Sequence, residues 1–369
     1  MRWLGFSLLA AGCVAAACWG PAQLWPTTAA PDGVYGRAGD GPSGLALLSA
    51  QAEKGALQAD VPRPASAASP PSPPSPASPP VTAVAEPFLP EVAEAACTTL
   101  LPRLPGLSRA QCVATRLQAS GALSRQGAPL YWRDVPSHAG AAAKGQPAAE
   151  PLRVLVVGAM HGDELTAASL ALRWIGMAAA EGAVDAGEPA PVHWRFIPVL
   201  NPDGLLAPKP TRVNAGGVDL NRNFPAPGWA EEAPVYWEKR TRKDPRRWPG
   251  HTPLSEPESR FLHQQMDQFQ PQLVVSIHAP YGVLDFDGPH DPPLRLGRLR
   301  MDKLGVFPGS LGHYGGLHRG VPVVTIELEH ALRMPPDAEV RAMWRDLRHW
   351  MNTRLLDGAD AVAGVKPPG

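Results

Sequence analysis

The chain has 369 residues, with 34 Lys plus Arg set against 34 Asp plus Glu and 18% charged residues. A formally neutral chain carries no electrostatic footprint for nucleic acid, and this length suits one large domain with extra segments. The 45 prolines are unevenly spread, which marks a linker beside a folded part and argues against disorder throughout.

Residues 1–20 read as a signal peptide or N-terminal anchor. Arg2 gives a short positive start, and residues 4–17 are apolar and small, too short for a membrane span of about 20 residues. Cys13 and Cys18 follow small residues but lack a large aliphatic residue three positions before, which favours cleavage or a retained anchor over lipidation. Residues 21–87 form a Pro/Ser/Ala-rich spacer, expected as a disordered, semi-rigid tether of polyproline II character. Residues 88–122 have helical spacing of apolar residues and contain Cys97 and Cys112, which should pair in an oxidising compartment.

From residue 123 to 357 the pattern is α/β. Strands are expected over 127–132, 154–158, 193–200, 273–277 and 321–326, and helices over 165–180, 255–269 and 337–356. Ser255 and Glu258 stand at capping-box spacing, with Pro257 in the first turn. The expected fold class is therefore α/β, a mixed and mostly parallel twisted sheet flanked by helices and preceded by the Pro-rich tether. Residues 358–369 are read as a disordered tail.

Three of these strands end in residues with metal or acid–base chemistry. The run R-V-L-V-V-G-A-M-H-G-D-E delivers His161 and Glu164, and later strands deliver His278 and Glu327. Alone, H-x-x-E is a weak signal, because a surface His beside a Glu in a first helical turn has the same spacing. Two His and one Glu, however, form the open ligand set of a zinc hydrolase, and ligand sites gather at the carboxyl ends of strands in such sheets. A further carboxylate must move a proton from the attacking water to the leaving nitrogen. Glu327 is placed for that, and Glu329 is its rival because strand alternation puts both on one side. Between the strands lies N-P-D-G and then R-V-N-A-G-G-V-D-L-N-R-N-F-P. Arg212 and Arg222 there can offer forked donors to a carboxylate or oxyanion, and Asn221 can add a hydrogen bond.

Taken together, H-x-x-E, N-P-D-G, R-x-N-x-x-G-V-D-L-N-R-N-F-P, an apolar strand ending in His, and T-I-E-L resemble the zinc carboxypeptidase family. The opening G-x-x-H-G-D-E, the S-E-P-E helix start (255–258) and S-x-x-G-A-P-L-x-W (124–132) resemble its murein peptide amidase branch. The resemblance covers residues 124–356. It implies one zinc ion per chain, with His161, Glu164 and His278 as ligands and Asp219 orienting a ligand histidine. It implies Arg212 at the scissile carbonyl, Asn221 and Arg222 on the terminal carboxylate, and Glu327 as general base and acid. From the residues alone, Arg212 also reads as a solvated loop arginine.

The implied function is zinc-dependent hydrolysis of amide bonds in peptides with a free carboxylate. Murein stem peptides, cut at the γ-D-glutamyl–diaminopimelate bond, are the implied substrate. The expected partner is that peptide, with no nucleic acid. The chain is expected as a monomer or weak oligomer, exported to a bacterial periplasm or cell envelope, with membrane attachment through its N-terminus left open. Two alternatives stand beside this: a zinc deacylase acting on N-acyl amino acids, and a non-catalytic peptidoglycan-binding module. Three features remain unassigned. Tyr314 and His313 stand where carboxypeptidases carry a mobile tyrosine. The segment 236–248 is strongly basic, either steering substrate carboxylates or merely solvated. Asp285 and Asp287 follow His278 and suit an amino group.

Overall fold

The computed structural model describes residues 89–136, 150–181 and 191–356. The expected signal, tether and tail lie outside the described residues. The main sheet contains β1 (Gln118–Leu123), β2 (Pro129–Val135), β3 (Leu152–Val157), β4 (Val192–Ile197), β5 (Leu273–His278), β6 (Val283–Asp287) and, after a two-stranded ribbon of β7 (Arg295–Leu296) and β8 (Leu299–Arg300), β9 (Val323–Glu327). Their spatial order is β1-β2-β4-β3-β5-β9-β6. The central four, β4, β3, β5 and β9, run parallel, while β2 and β6 join them antiparallel and β1 pairs antiparallel with β2.

The parallel centre follows from composition. β3 reads L-R-V-L-V-V and is buried almost throughout, as expected of a strand covered on both faces. Alternation then sorts its side chains. Val154 and Val156 join one core cluster, which includes helix α3 (Leu165–Glu181) and the later helix α7 (Asp337–Trp350). Leu155 and Val157 join a second cluster with helix α6 (Pro257–Phe269). On the α7 side, Trp344 packs edge-on to Trp174 at 5.3 Å and lies 4.7 Å from Trp194, between ring centroids. Each fully buried valine or leucine of these clusters contributes about 1.5–3 kcal/mol.

The segment before the sheet is only partly helical. Helices α1 (Pro90–Leu100) and α2 (Arg109–Ala114) are joined by a Cys97–Cys112 disulfide with Cα atoms 5.9 Å apart. The expected helical stretch to residue 122 ends sooner, because 118–123 is strand β1. Its sequence Q-A-S-G-A-L lacks β-branched residues, so its strand state comes from pairing with β2. Ala96, Leu100, Leu104 and Leu117 enter the same core cluster as the central strands, so this segment packs on the α/β body.

Two helix boundaries also differ from expectation. α6 starts at Pro257 with Glu256 as its N-cap residue, and Ser255 does not cap it. The hydroxyl of Ser255 instead donates to Glu256 Oε1, and Glu258 accepts from the Arg125 main-chain N–H. A buried network outcompetes the local cap. α7 ends at Trp350 and continues as a π-helical turn over Met351–Leu356.

Candidate metal centre

The turn after β3 is built by close backbone approach. A Cβ on Gly162 would stand 2.2 Å from the carbonyl carbon of Gly204, so H-G-D-E and N-P-D-G are pressed together and need glycine there. Gly204 lies in the short helix α4 (Pro202–Leu206), whose N-cap Asn201 accepts from the Gly204 N–H. This contact fixes the arm that carries His161 and Glu164.

His161, Glu164 and His278 converge, with one possible ligand atom from each lying within 4.8 Å of the others. His161 Nδ1 stands 2.7 Å from Glu164 Oε1, and His278 Nδ1 stands 2.9 Å from Glu164 Oε2 and 3.2 Å from His161 Nδ1. All three side chains are buried. Their outer nitrogens are occupied elsewhere: His161 Nε2 lies 3.1 Å from Asp219 Oδ1, and His278 Nε2 lies 2.9 Å from Ser276 Oγ. With Nε2–H donating to Asp219, His161 Nδ1 keeps its lone pair for the centre. Two nitrogens and a carboxylate facing inward, with both histidines held from behind, fit a divalent ion such as zinc. Burial alone would raise the Glu164 carboxyl, but His161 and His278 together hold it below the usual carboxylate range.

Asp219 is fully buried and ties the loop to the centre. Its Oδ2 accepts from Arg212 Nε at 3.0 Å and Nη2 at 2.9 Å, and its Oδ1 also accepts from the Asn221 N–H at 3.0 Å. Against the upward push of burial, Arg212 and His161 keep its carboxyl well below the ordinary value. Arg212 is thus a largely buried, ion-paired arginine, with Nη1 3.2 Å from His161 Nδ1 and 3.7 Å from Glu164 Oε1. A solvated loop position is ruled out for it.

Glu327 closes the other side. It is buried, its Oε2 has no hydrogen-bond partner, and the Tyr281 main-chain N–H donates to its carboxylate. Burial, and then the charge of Glu164, push its pKa up to about 8. Glu329 points elsewhere: its side chain is half-exposed and pairs with Arg298 at 3.8 Å.

Asn221 and Arg222 lie beside this group. Asn221 Oδ1 accepts from the Leu311 N–H at 2.9 Å. Arg222 is buried over the Phe307 ring at 4.4 Å, and its Nη1 donates to the Asn221 carbonyl. Its Nε is buried without a partner. Burial depresses its pKa to about 10, offset by Asp219 and deepened by Arg212 and Arg247.

Tyr314 takes no part in the site. It stacks on Phe224 with centroids 5.8 Å apart, and its hydroxyl is held by His263 Nδ1 and Arg319 Nη1. His313 Nδ1 is buried without a partner. Asp285 and Asp287 lie on β6, where burial and then Asp285 push Asp287 up to about 6. Sequence reasoning passed over two groups. Tyr281 follows the His-Ala-Pro run directly and is 57% exposed beside Glu327. Asn214 is buried and donates to Glu256 Oε2 at 2.7 Å and Glu258 Oε2 at 3.0 Å. Ser124 donates to Asp203 Oδ1 at 2.6 Å in the same region. The S-E-P-E, N-P-D-G and 124–132 motifs thus meet as one polar network that anchors the loop carrying Arg212 and Asp219.

The chain belongs to the zinc carboxypeptidase family, whose model matches residues 114–287. Within that family the chain is similar to murein peptide amidase A. It is 34% identical to the Escherichia coli protein over 164 residues, which is 43% of this chain and 57% of that relative. It is 31% identical to the Vibrio campbellii protein over 193 residues, 48% of this chain and 69% of the relative. The chain therefore spans a little over half the length of the Escherichia coli relative. The crystal structure of the murein-tripeptide amidase from Escherichia coli O157 aligns at 25% identity with a TM-score of 0.42, covering 64% of this chain and 89% of that one. The family match contains all three candidate ligands and stops before Glu327.

Proposed function

We propose that the protein is a zinc-dependent peptidase that hydrolyses an amide bond in peptides bearing a free carboxylate. Murein stem peptides, cut at the γ-D-glutamyl–diaminopimelate bond, are the substrate we favour. The observation that carries this reading is the convergence of His161, Glu164 and His278 beside a buried Glu327 that has an unpartnered oxygen.

His161, Glu164 and His278 would hold the ion, and zinc when bound supplies a Lewis acid that polarises a carbonyl and eases deprotonation of water. Arg222 and Asn221 hold the free carboxylate, the charged group that the buried, unpartnered Nε of Arg222 calls for. Arg212 donates towards the carbonyl oxygen as negative charge develops there. Glu327 takes the proton of the attacking water and returns it to the leaving nitrogen. Burial raises its carboxyl, which strengthens it as a proton acceptor for that task.

Export to a bacterial envelope is part of the proposal. It draws on residues 1–88, which lie outside the described residues, and on the Cys97–Cys112 bridge, since such bridges persist in oxidising compartments. Product analysis on a panel of muropeptides with zinc-loaded protein tests the reading. Release of diaminopimelate-containing products supports it. Cleavage of N-acyl amino acids with no cleavage of peptides would overturn it.

A further inference from the structure

We propose that Arg247 forms a second anion-binding point at the rim of the site, beside Arg222, and selects peptides whose C-terminal residue carries an additional side-chain carboxylate. The inference rests on the peptidase reading and names the residue that sets the preference for such a residue.

Position is the first observation. Arg247 ends a short 3-10 turn, Pro245–Arg247, that is fastened on two sides. The Asp219 N–H donates to the Trp248 carbonyl at 2.8 Å, and Asn223 Nδ2 donates to the Pro249 carbonyl at 2.8 Å. Arg246 Nη2 donates to Asp163 Oδ2 at 2.8 Å, two residues from His161. The turn therefore bridges the ligand arm and the N-R-N segment that carries Arg222.

Its approach is held as well. Arg242 and Lys243 are successive residues at φ 55° and 59°, a left-handed backbone that side-chain-bearing residues adopt only where something holds them. The Lys243 N–H to Trp237 carbonyl bond at 3.0 Å and the Trp237 Nε1–H to Asp244 carbonyl bond at 2.7 Å do so. The basic segment is a built rim, and a loose solvated loop does not describe it.

Charge is the second observation. Arg212 is neutralised by Asp219. Arg222 has no carboxylate in contact among the described residues and keeps a buried, unpartnered Nε. Among the described residues Arg247 has one acidic partner, Asp244 at 3.7 Å, a long and half-exposed pair of little strength. The two guanidinium groups are close enough for Arg247 to depress Arg222. Two forked cations, neither of them held in a close carboxylate pair, suit two carboxylates. A terminal carboxylate answers Arg222, and a side-chain carboxylate answers Arg247. Phe307 under Arg222, with Tyr236 edge-on to it at 5.9 Å, supplies an apolar wall for the carbons joining the two.

The test compares two γ-D-glutamyl peptides, one ending in diaminopimelate and one in lysine, which differ by that second carboxylate. With zinc-loaded full-length protein, the wild type should show a KM lower by about tenfold or more for the diaminopimelate peptide, the scale of one charge-assisted contact. Arg247→Gln should collapse that ratio towards one with kcat much less affected, Arg247→Lys should restore part of it, and Arg240→Gln should keep it. A ratio that survives Arg247→Gln, or a wild type without a preference, overturns the inference. Calorimetric binding of free diaminopimelate against free lysine separates the subsite from the reaction. Preference lost in Arg247→Gln supports the subsite even in a protein that cleaves neither peptide. Equal binding of the two amino acids overturns it.

Discussion

His278 and Glu327 occupy paired positions on the adjacent parallel strands β5 and β9. The ladder runs one residue further, with the Leu328 N–H donating to the His278 carbonyl at 2.8 Å. A candidate ligand and the candidate base are therefore set side by side by main-chain pairing, which side-chain substitution leaves in place. The proposed roles of the two residues are separable by experiment for that reason.

Glu327→Gln should bind zinc as the wild type does and lose about 100-fold or more in kcat, the usual loss when a general base is removed. Glu329→Gln should leave both properties near wild type, since Glu329 faces Arg298 at the surface. Metal analysis with peptide kinetics checks both, and near-full activity in Glu327→Gln would return the role to Glu329.

Asp219→Asn removes the charge and one of the two acceptor oxygens that hold His161 and Arg212. Loss of such a supporting carboxylate typically weakens metal binding about 10–100-fold. Competition with a chelator measures that directly, and an unchanged zinc affinity would remove Asp219 from the ligand-orienting role.

The metal-free protein should lose stability as pH rises from about 4.5 to about 8 through Glu327. Its folded carboxyl binds a proton more tightly than the unfolded one, so its contribution is complete below the unfolded pKa and is lost towards the folded pKa. Thermal melting of metal-stripped wild type and Glu327→Gln across that range should show the variant gaining on the wild type as pH rises. A constant difference in Tm would refute the raised carboxyl.

Cys97→Ser should cost about 3 kcal/mol, the chain-entropy scale for closing a loop of about 15 residues, and leave zinc content unchanged. Denaturant unfolding and metal analysis test this together. Two free thiols in the purified protein would contradict the bridge.

Much of the core was legible because its signals are strong and local. The apolar run of β3 and the closing turn with His161 and Glu164 needed only strand length and residue type. β1 was not legible, since Q-A-S-G-A-L takes its strand form from β2 and not from propensity. The capping box at Ser255 was legible and misleading, because Asn214 and Arg125, more than 40 residues before it in the chain, claim Glu256 and Glu258. Glu327 and Glu329 could not be separated by strand alternation, which gives both one side; the ending of β9 at Glu327 separates them. Tyr314 looked available because its spacing resembles a mobile tyrosine, while His263 and Arg319 hold its hydroxyl through contacts that spacing does not reveal.

The order β3-β5-β9 at the centre of the sheet places the ligand residues on two neighbouring strands and their connections, and the base on the third. A chain interrupted before Val323 would still contain His161, Glu164 and His278 and would lack Glu327. The candidate ligands and the candidate base thus come from separate lengths of the polypeptide, and only the pairing of β5 with β9 brings them together.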